Sequence, residues 1–197
     1  MWIANGHTAS EWNSLRLDSD TSEDWLTAIR IVDARFRERF IDAADVLIDL
    51  DDSLDARERR FGFAILALDC LVIETLQAFR EGLVDARRSS QRLFCTFLEE
   101  QPEFRFSSKV ARIFYRDFRC GILHQAETFN GSLCFSIGPM VVEKSDGLVI
   151  NRTEVHRAIV KSFDRYLRQL ADSANDVLRT NLRRKMANIC RCDTTVP

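Results

Sequence analysis

Apolar residues return every three or four positions along most of this chain, a spacing that favours helices and leaves little room for extended strands. The first such stripe runs through Trp25, Ile29, Val32, Phe36, Phe40, Ala43, Leu47 and Leu50. It opens on Thr21-Ser-Glu-Asp24, which reads as a capping box with acids in the first turn. Residues 57–82 form the most apolar segment. Phe61, Ile65, Leu66, Leu71, Ile73 and Phe79 cover so much of its circumference that it is expected at the centre, with Gly82 as the stop. Between these two segments the acid-rich DLDDSLDARE lacks the glycine and spacing of a calcium loop. It reads as a solvated turn, with Asp55 and Glu58 opening the next helix.

A shorter helix is predicted from about Ser89 to Glu100, closed by Pro102, and a fourth from Ser107 or Ser108 towards Leu123. The period then changes. Gly138-Pro139 and Asp146-Gly147 are turn signals flanked by short apolar runs, so a hairpin or three-stranded meander is expected over 132–150. Asn151-Arg-Thr-Glu154 caps a long last helix whose stripe runs from Val155 to Ile189. A stripe of that length packs along a bundle or against a second subunit. The expectation is a mainly α, antiparallel, up-and-down helical bundle with a small β-hairpin or meander inserted before the long C-terminal helix. Residues 1–20 lack a sustained period and read as a loosely held N-terminal arm, 21–190 as a single helical domain, and 191–197 as a C-terminal tail.

Composition narrows the chemistry. The hydrophobic share of 46% and charged share of 29% are those of a globular protein. With a net charge of -2 there is no bulk basic excess to drive non-specific duplex binding. Lys109, Lys144, Lys161 and Lys185 are the only lysines among 28 basic residues. The arginine bias suits bidentate phosphate or carboxylate contacts, and a GC-rich coding sequence would produce it equally well. The N-terminus is too polar for a signal peptide, and no uninterrupted apolar run approaches the roughly 20 residues of a membrane span. The cysteines at 70, 95, 120, 134, 190 and 192 suit reduced, mostly buried thiols. Cys190-Arg-Cys192 has no second pair to complete a zinc site. No metal and no cofactor are expected, and cytoplasm is the expected compartment.

There is no Gly-rich phosphate loop, HExxH, GxSxG or paired CxxC. Histidines occur at 7, 124 and 156. His7 lies in the arm, and His156, in the first turn of the last helix, is expected to face solvent. His124 is left as the acid–base candidate. Arg119 lies five residues before it, an angle of about 140° on an ideal helix, so the two would share a face only if the helix loosens after Gly121. An Arg fork beside an imidazole suits phosphodiester cleavage. Arg119 would hold the non-bridging oxygens, and His124 would move the proton of a 2′-hydroxyl or a leaving 5′-oxygen. Asp117 and Glu127 are candidates to orient His124 or pair with Arg119. Cys120 is either a thiol beside the site or an inert one. The plainer account makes Arg119 a structural ion-pair partner and His124 a helix-end histidine. Asp69 and Glu74, inside the most apolar helix, either line a polar strip or bond a neighbouring residue, Arg119 among the candidates.

The string Arg119-Cys-Gly-Ile-Leu-His124, late in the penultimate helix of a bundle, resembles the Arg-x4-His signature of HEPN domains. The resemblance covers about residues 112–127. It implies a helical bundle whose active members are metal-independent endoribonucleases in toxin, antiphage and RNA-surveillance systems, with two protomers lining one cleft. Arg119 and His124 would then be the catalytic pair, acting on single-stranded or structured RNA and leaving a 2′,3′-cyclic phosphate. A homodimer is implied, and a protein antitoxin or regulator is a candidate partner; no membrane is involved. Active members often have a polar residue directly after the Arg, where this chain has Cys120. The alternative is therefore a non-catalytic HEPN-like module that binds RNA, a nucleotide or a protein. A plain helical scaffold dimerising through its last helix is a third reading.

Overall fold

A computed structural model of the protein describes residues 1–18, 22–130 and 132–191. The first long stripe becomes α2 (Ser22–Phe36) and α3 (Asp42–Asp52), joined without a break by a π turn over Arg37–Ile41. The capping residue Thr21 lies outside the described residues, but Glu23 and Asp24 do occupy the first turn of α2. The most apolar segment becomes α4 (Gly62–Arg80), which touches α3 and, further along, α5 (Ser90–Glu100), α8 (Arg152–Ala171) and α9 (Asp176–Arg191). α4 is long and apolar enough to cross a membrane on length and composition, yet 56% of that window is buried in the protein, as befits a core helix. Phe36 of α2 ties the layers together. Its ring lies 5.2 Å from Phe79 of α4 and 5.0 Å from Phe163 of α8.

Local signals place several ends well. Gly82 follows α4 with φ of +61°. A Cβ there would also lie 2.8 Å from the Asn181 backbone, so glycine is required twice over. Ser107 caps α6 (Ser108–Phe114) by accepting from the Val110 N–H. Asn151 caps α8 by accepting from the N–H groups of Thr153 and Glu154.

Three expectations change. The N-terminal arm is not loose. β1 (Trp2–Ala4) and β2 (His7–Thr8) form an antiparallel hairpin leading into α1 (Ala9–Ser14), and Ile3, Trp12 and Leu17 are buried in the main core. Their spacing is too irregular to register as a period, yet each still gains by leaving water. The long last helix is two, broken at 172–175, where Arg179 of α9 donates to the Leu170 carbonyl that ends α8. The small sheet is neither a simple hairpin nor a meander. β4 (Val141–Glu143) and β5 (Leu148–Asn151) do form a hairpin, but β3 (Leu133–Phe135) pairs parallel to β5 on the other edge, in the order β3-β5-β4. The Gly138-Pro139 turn is a crossing rather than a tight reversal, pinned by the Asn151 amide donating to the Gly138 carbonyl. The C-terminal tail, apart from Arg191, lies outside the described residues, as does Cys192.

The acid-rich turn is exposed over most of 52–58, as expected, but it does not open the next helix and the Asp51 that precedes it is buried, and His156 is corrected too. Asp51 is fully buried, accepting from the Arg60 and Phe61 N–H groups and from Arg152 Nη2 at 2.6 Å, and α4 starts only at Gly62. His156, expected in solvent, is 2% exposed. Its Nδ1 lies 2.7 Å from Asp69 and its Nε2 3.1 Å from Asp45, so it links α8 to both α4 and α3. Burial opposes charge on this ring. The hydrogen bond and charge of Asp69, joined by Asp45, outweigh burial and hold the His156 pKa above its ordinary value. A group raised on folding contributes stability that is complete below its unfolded pKa of about 6.5 and lost as pH rises through the folded value. The melting temperature is therefore expected to fall as pH is raised from about 6.5 into the alkaline range, and His156→Gln to flatten that slope. A pH-independent wild-type melting curve over that window would contradict the assignment.

Candidate functional site

The helix that carries Arg119 and His124 is not the penultimate one, since two helices follow it, and it is interrupted by a π turn at Tyr115–Cys120, between α6 and α7 (Gly121–Gln125). Such turns widen a helix by one residue and are frequent at functional sites. Here the extra residue lets two neighbours point inwards together. Phe118 stacks on Phe114 at 5.2 Å between ring centres. Asp117, fully buried, accepts from Asn130 Nδ2 (3.0 Å), Ser132 Oγ (2.9 Å) and the Arg116 guanidinium. Burial alone would raise the Asp117 carboxyl, but these donors outweigh it and hold it below its usual range. Asp117 thus fastens the loop after α7 and does not turn to His124 or Arg119. Glu127 is exposed and accepts from the Thr128 N–H beside it, so it does not reach the pair either.

The turn delivers Arg119 to α4. Its Nε lies 3.2 Å and its Nη2 3.1 Å from Glu74 Oε2. That same oxygen accepts the Ser90 hydroxyl at 2.9 Å. With the single Ser90 proton engaged there, the Tyr115 hydroxyl, 3.0 Å from Ser90 Oγ, must be the donor in that second bond. The Tyr115 ring also lies against the guanidinium, 5.6 Å from its carbon. Burial would lower the Arg119 pKa, but the charge of Glu74 leads the effects that keep it above its ordinary value. Burial pushes the Tyr115 hydroxyl up, against the Ser90 bond, so it stays a neutral donor. One edge of the Arg119 fork is therefore occupied, while Nη1 has no partner among the described residues.

Cys120 is half-buried beside Tyr115 and lines a hollow of about 490 Å³ with Tyr115 and Arg116. Gly121 does not loosen the helix as expected. Its φ is −58°, and regular helix continues to Gln125, ending with Ala126 in the left-handed conformation. Its role is to make room. A Cβ at 121 would lie 2.4 Å from the Glu127 carbonyl oxygen and 3.3 Å from Thr128 Cα. Gly121→Ala is expected to cost about 1–3 kcal/mol in urea unfolding, by overpacking; a loss below that range would mean the 127–128 segment moves freely.

His124 lies on the surface in the last turn of α7, with no hydrogen bond or ion pair among the described residues. Arg119 lies in the π turn and His124 in the regular helix that follows it, and no hydrogen bond joins them among the described residues. Of the five candidates, Arg119 and Cys120 both lie beside Tyr115, His124 is exposed on the next turn, and Asp117 and Glu127 serve the loop. Sequence reasoning missed Ser90 and Tyr115. Ser90 reads as part of a helix start and Tyr115 as one more aromatic in a stripe, and no local pattern links either to Glu74. Comparison of the chain with protein families, curated proteins and solved structures finds no match.

Proposed function

We propose that this protein is an HEPN-like endoribonuclease that acts as a homodimer, with Arg119 and His124 of both chains lining one RNA cleft. The observation that carries this reading is the unequal use of the two side chains. Arg119 is held by one edge of its fork on Glu74 and by the face of Tyr115, which fixes the guanidinium with Nη1 unspent. His124 makes no hydrogen bond or ion pair among the described residues and is exposed. A preset cation and an unengaged imidazole five residues apart would need a second copy to complete the cleft. In that cleft His124 takes the proton of a ribose 2′-hydroxyl, the 2′-oxygen attacks phosphorus, and Arg119 offsets the charge that builds on the non-bridging oxygens. The 5′-oxygen leaves with a proton given up by the protonated His124 of the second copy, giving a 2′,3′-cyclic phosphate and a 5′-hydroxyl. RNA supplies the nucleophile, so the reading expects activity in EDTA. A toxin-like or antiphage role in the cytoplasm, restrained by a protein antitoxin or regulator, belongs to the same proposal.

The test is incubation of the purified protein with a panel of single-stranded and hairpin RNAs in EDTA, with end-group analysis of the products. Fragments ending in 2′,3′-cyclic phosphate support the reading. Intact RNA throughout the panel overturns it.

One observation favours a second reading, a non-catalytic module that binds RNA. Glu74 already neutralises Arg119, the two side chains being 18% and 17% exposed, and Cys120 stands where a polar residue would assist catalysis. Retention of RNA without cleavage would decide for it.

A further inference from the structure

We infer that the groove between α5 and the α6–π-turn segment is the track on which the backbone of single-stranded RNA lies. The inference rests on the preceding reading for the identity of the ligand. Two hollows, of about 490 and 390 Å³, adjoin here and share Gln91 and Arg112 as lining residues. Together they gather Arg88, Arg92, Lys109, Arg112 and Arg116, against Glu99 as the carboxylate among their described lining residues. In a chain of net charge -2 that is a local excess which the overall composition hides.

Three features say that these cations await an anion. First, Arg88 and Arg112 are exposed and have no ion pair or hydrogen bond among the described residues. Lys109, Arg116 and Arg92 are paired, with Glu143, Asp117 and Glu81, yet remain 68%, 56% and 51% exposed. Second, like charges crowd here. Arg88 and Arg92 are four apart, as are Arg112 and Arg116, and Lys109 and Arg112 stand three apart within α6, where like charges repel. Third, α5 has no acid in its first turn, where a helix favours negative charge; Gln91 and Arg92 stand there instead. A polyanion lying in the groove relieves all three. The hollows are of single-ligand size rather than duplex size, and a cationic channel with aromatic walls is how unpaired strands are held. Tyr115 and Cys120 form the end wall, and Arg119 lies against Tyr115, so a strand in the groove arrives at the candidate site.

The experiment measures binding of a fluorescent 20-nucleotide single-stranded RNA across a salt series, using full-length His124→Ala protein so that cleavage does not interfere. Removing Arg88 and Arg112 together, as Arg88→Ala/Arg112→Ala, is expected to weaken binding at least about tenfold at low salt and to flatten the log–log salt slope by about 1.4. Arg168→Ala, which removes one exposed charge on α8 outside the groove, is expected to leave both unchanged. If the double variant does not fold, Lys109→Ala carries the same expectation, with a slope change of about 0.7. Unchanged binding in the groove variants, equal loss in Arg168→Ala, or no binding by the parent protein overturns the inference. The two proposals fail separately. Cleavage that survives loss of the groove cations removes the track and leaves the site, whereas groove-dependent binding in a protein that never cuts RNA leaves the track and removes the catalyst.

Discussion

Replacing His124 with alanine is expected to lower RNA cleavage by about 10²–10⁴-fold, the usual worth of a positioned acid–base group, while leaving the melting temperature unchanged. The two halves of that expectation have separate grounds. The kinetic half follows from assigning the proton transfer to this ring. The stability half follows from its surroundings: His124 is exposed and makes no hydrogen bond or ion pair among the described residues, so truncation leaves nothing unsatisfied. Arg119→Ala offers no such separation. It strips Glu74 of its cation in a half-buried network that also holds Ser90 and Tyr115, so lost activity there would be confounded by lost order. Measuring cleavage and melting on the same His124→Ala preparation settles the point. Activity at the wild-type level would remove His124 from the chemistry, and a fall in melting temperature would give it a structural role.

The largest effect on stability is expected at Arg152. Arg152 and Asp51 form an ion pair whose side chains are 2% and 1% exposed. Arg152→Ala is expected to cost about 3–5 kcal/mol in urea unfolding, because it leaves a buried carboxylate without its counter-charge. That is a large share of the 5–15 kcal/mol that holds a typical domain together. The loss spreads through what Asp51 organises. It accepts from the Arg60 and Phe61 N–H groups and so fixes the entry to α4. Replacing both partners, as Asp51→Asn/Arg152→Met, is expected to cost less than Arg152→Ala alone, since no buried charge remains. A loss below about 1 kcal/mol for Arg152→Ala would mean that water reaches Asp51 freely.

What could be read from the sequence was local. Asn151, Ser107 and Gly82 announce their ends because a cap is a bond or a φ angle within a few residues of the helix it closes. The stripes of α2 and α4 are visible because burial repeats along one face. Contacts across the fold left no such trace. His156 was expected in solvent because its partners Asp69 and Asp45 are 87 and 111 positions away, and nothing local links either acid to it. The parallel pairing of β3 with β5 obeys a crossing that turn residues do not encode. Glu74 was already in view as an acid that might bond Arg119, because an acid in so apolar a helix needs a reason. The groove left a clue in the repeated four-residue spacing of arginines, which summed charge concealed.

The widened turn before Arg119 also governs how this segment can vary. Every helical residue removed from or added to the stretch between Phe114 and Arg119 turns all that follows by about 100° relative to all that precedes it. Losing one residue there would give a more regular helix and a worse protein, with the guanidinium swung away from Glu74 and Asp117 withdrawn from Asn130 and Ser132. A one-residue indel along this stretch is therefore expected to be a more damaging event than substitution of its exposed side chains.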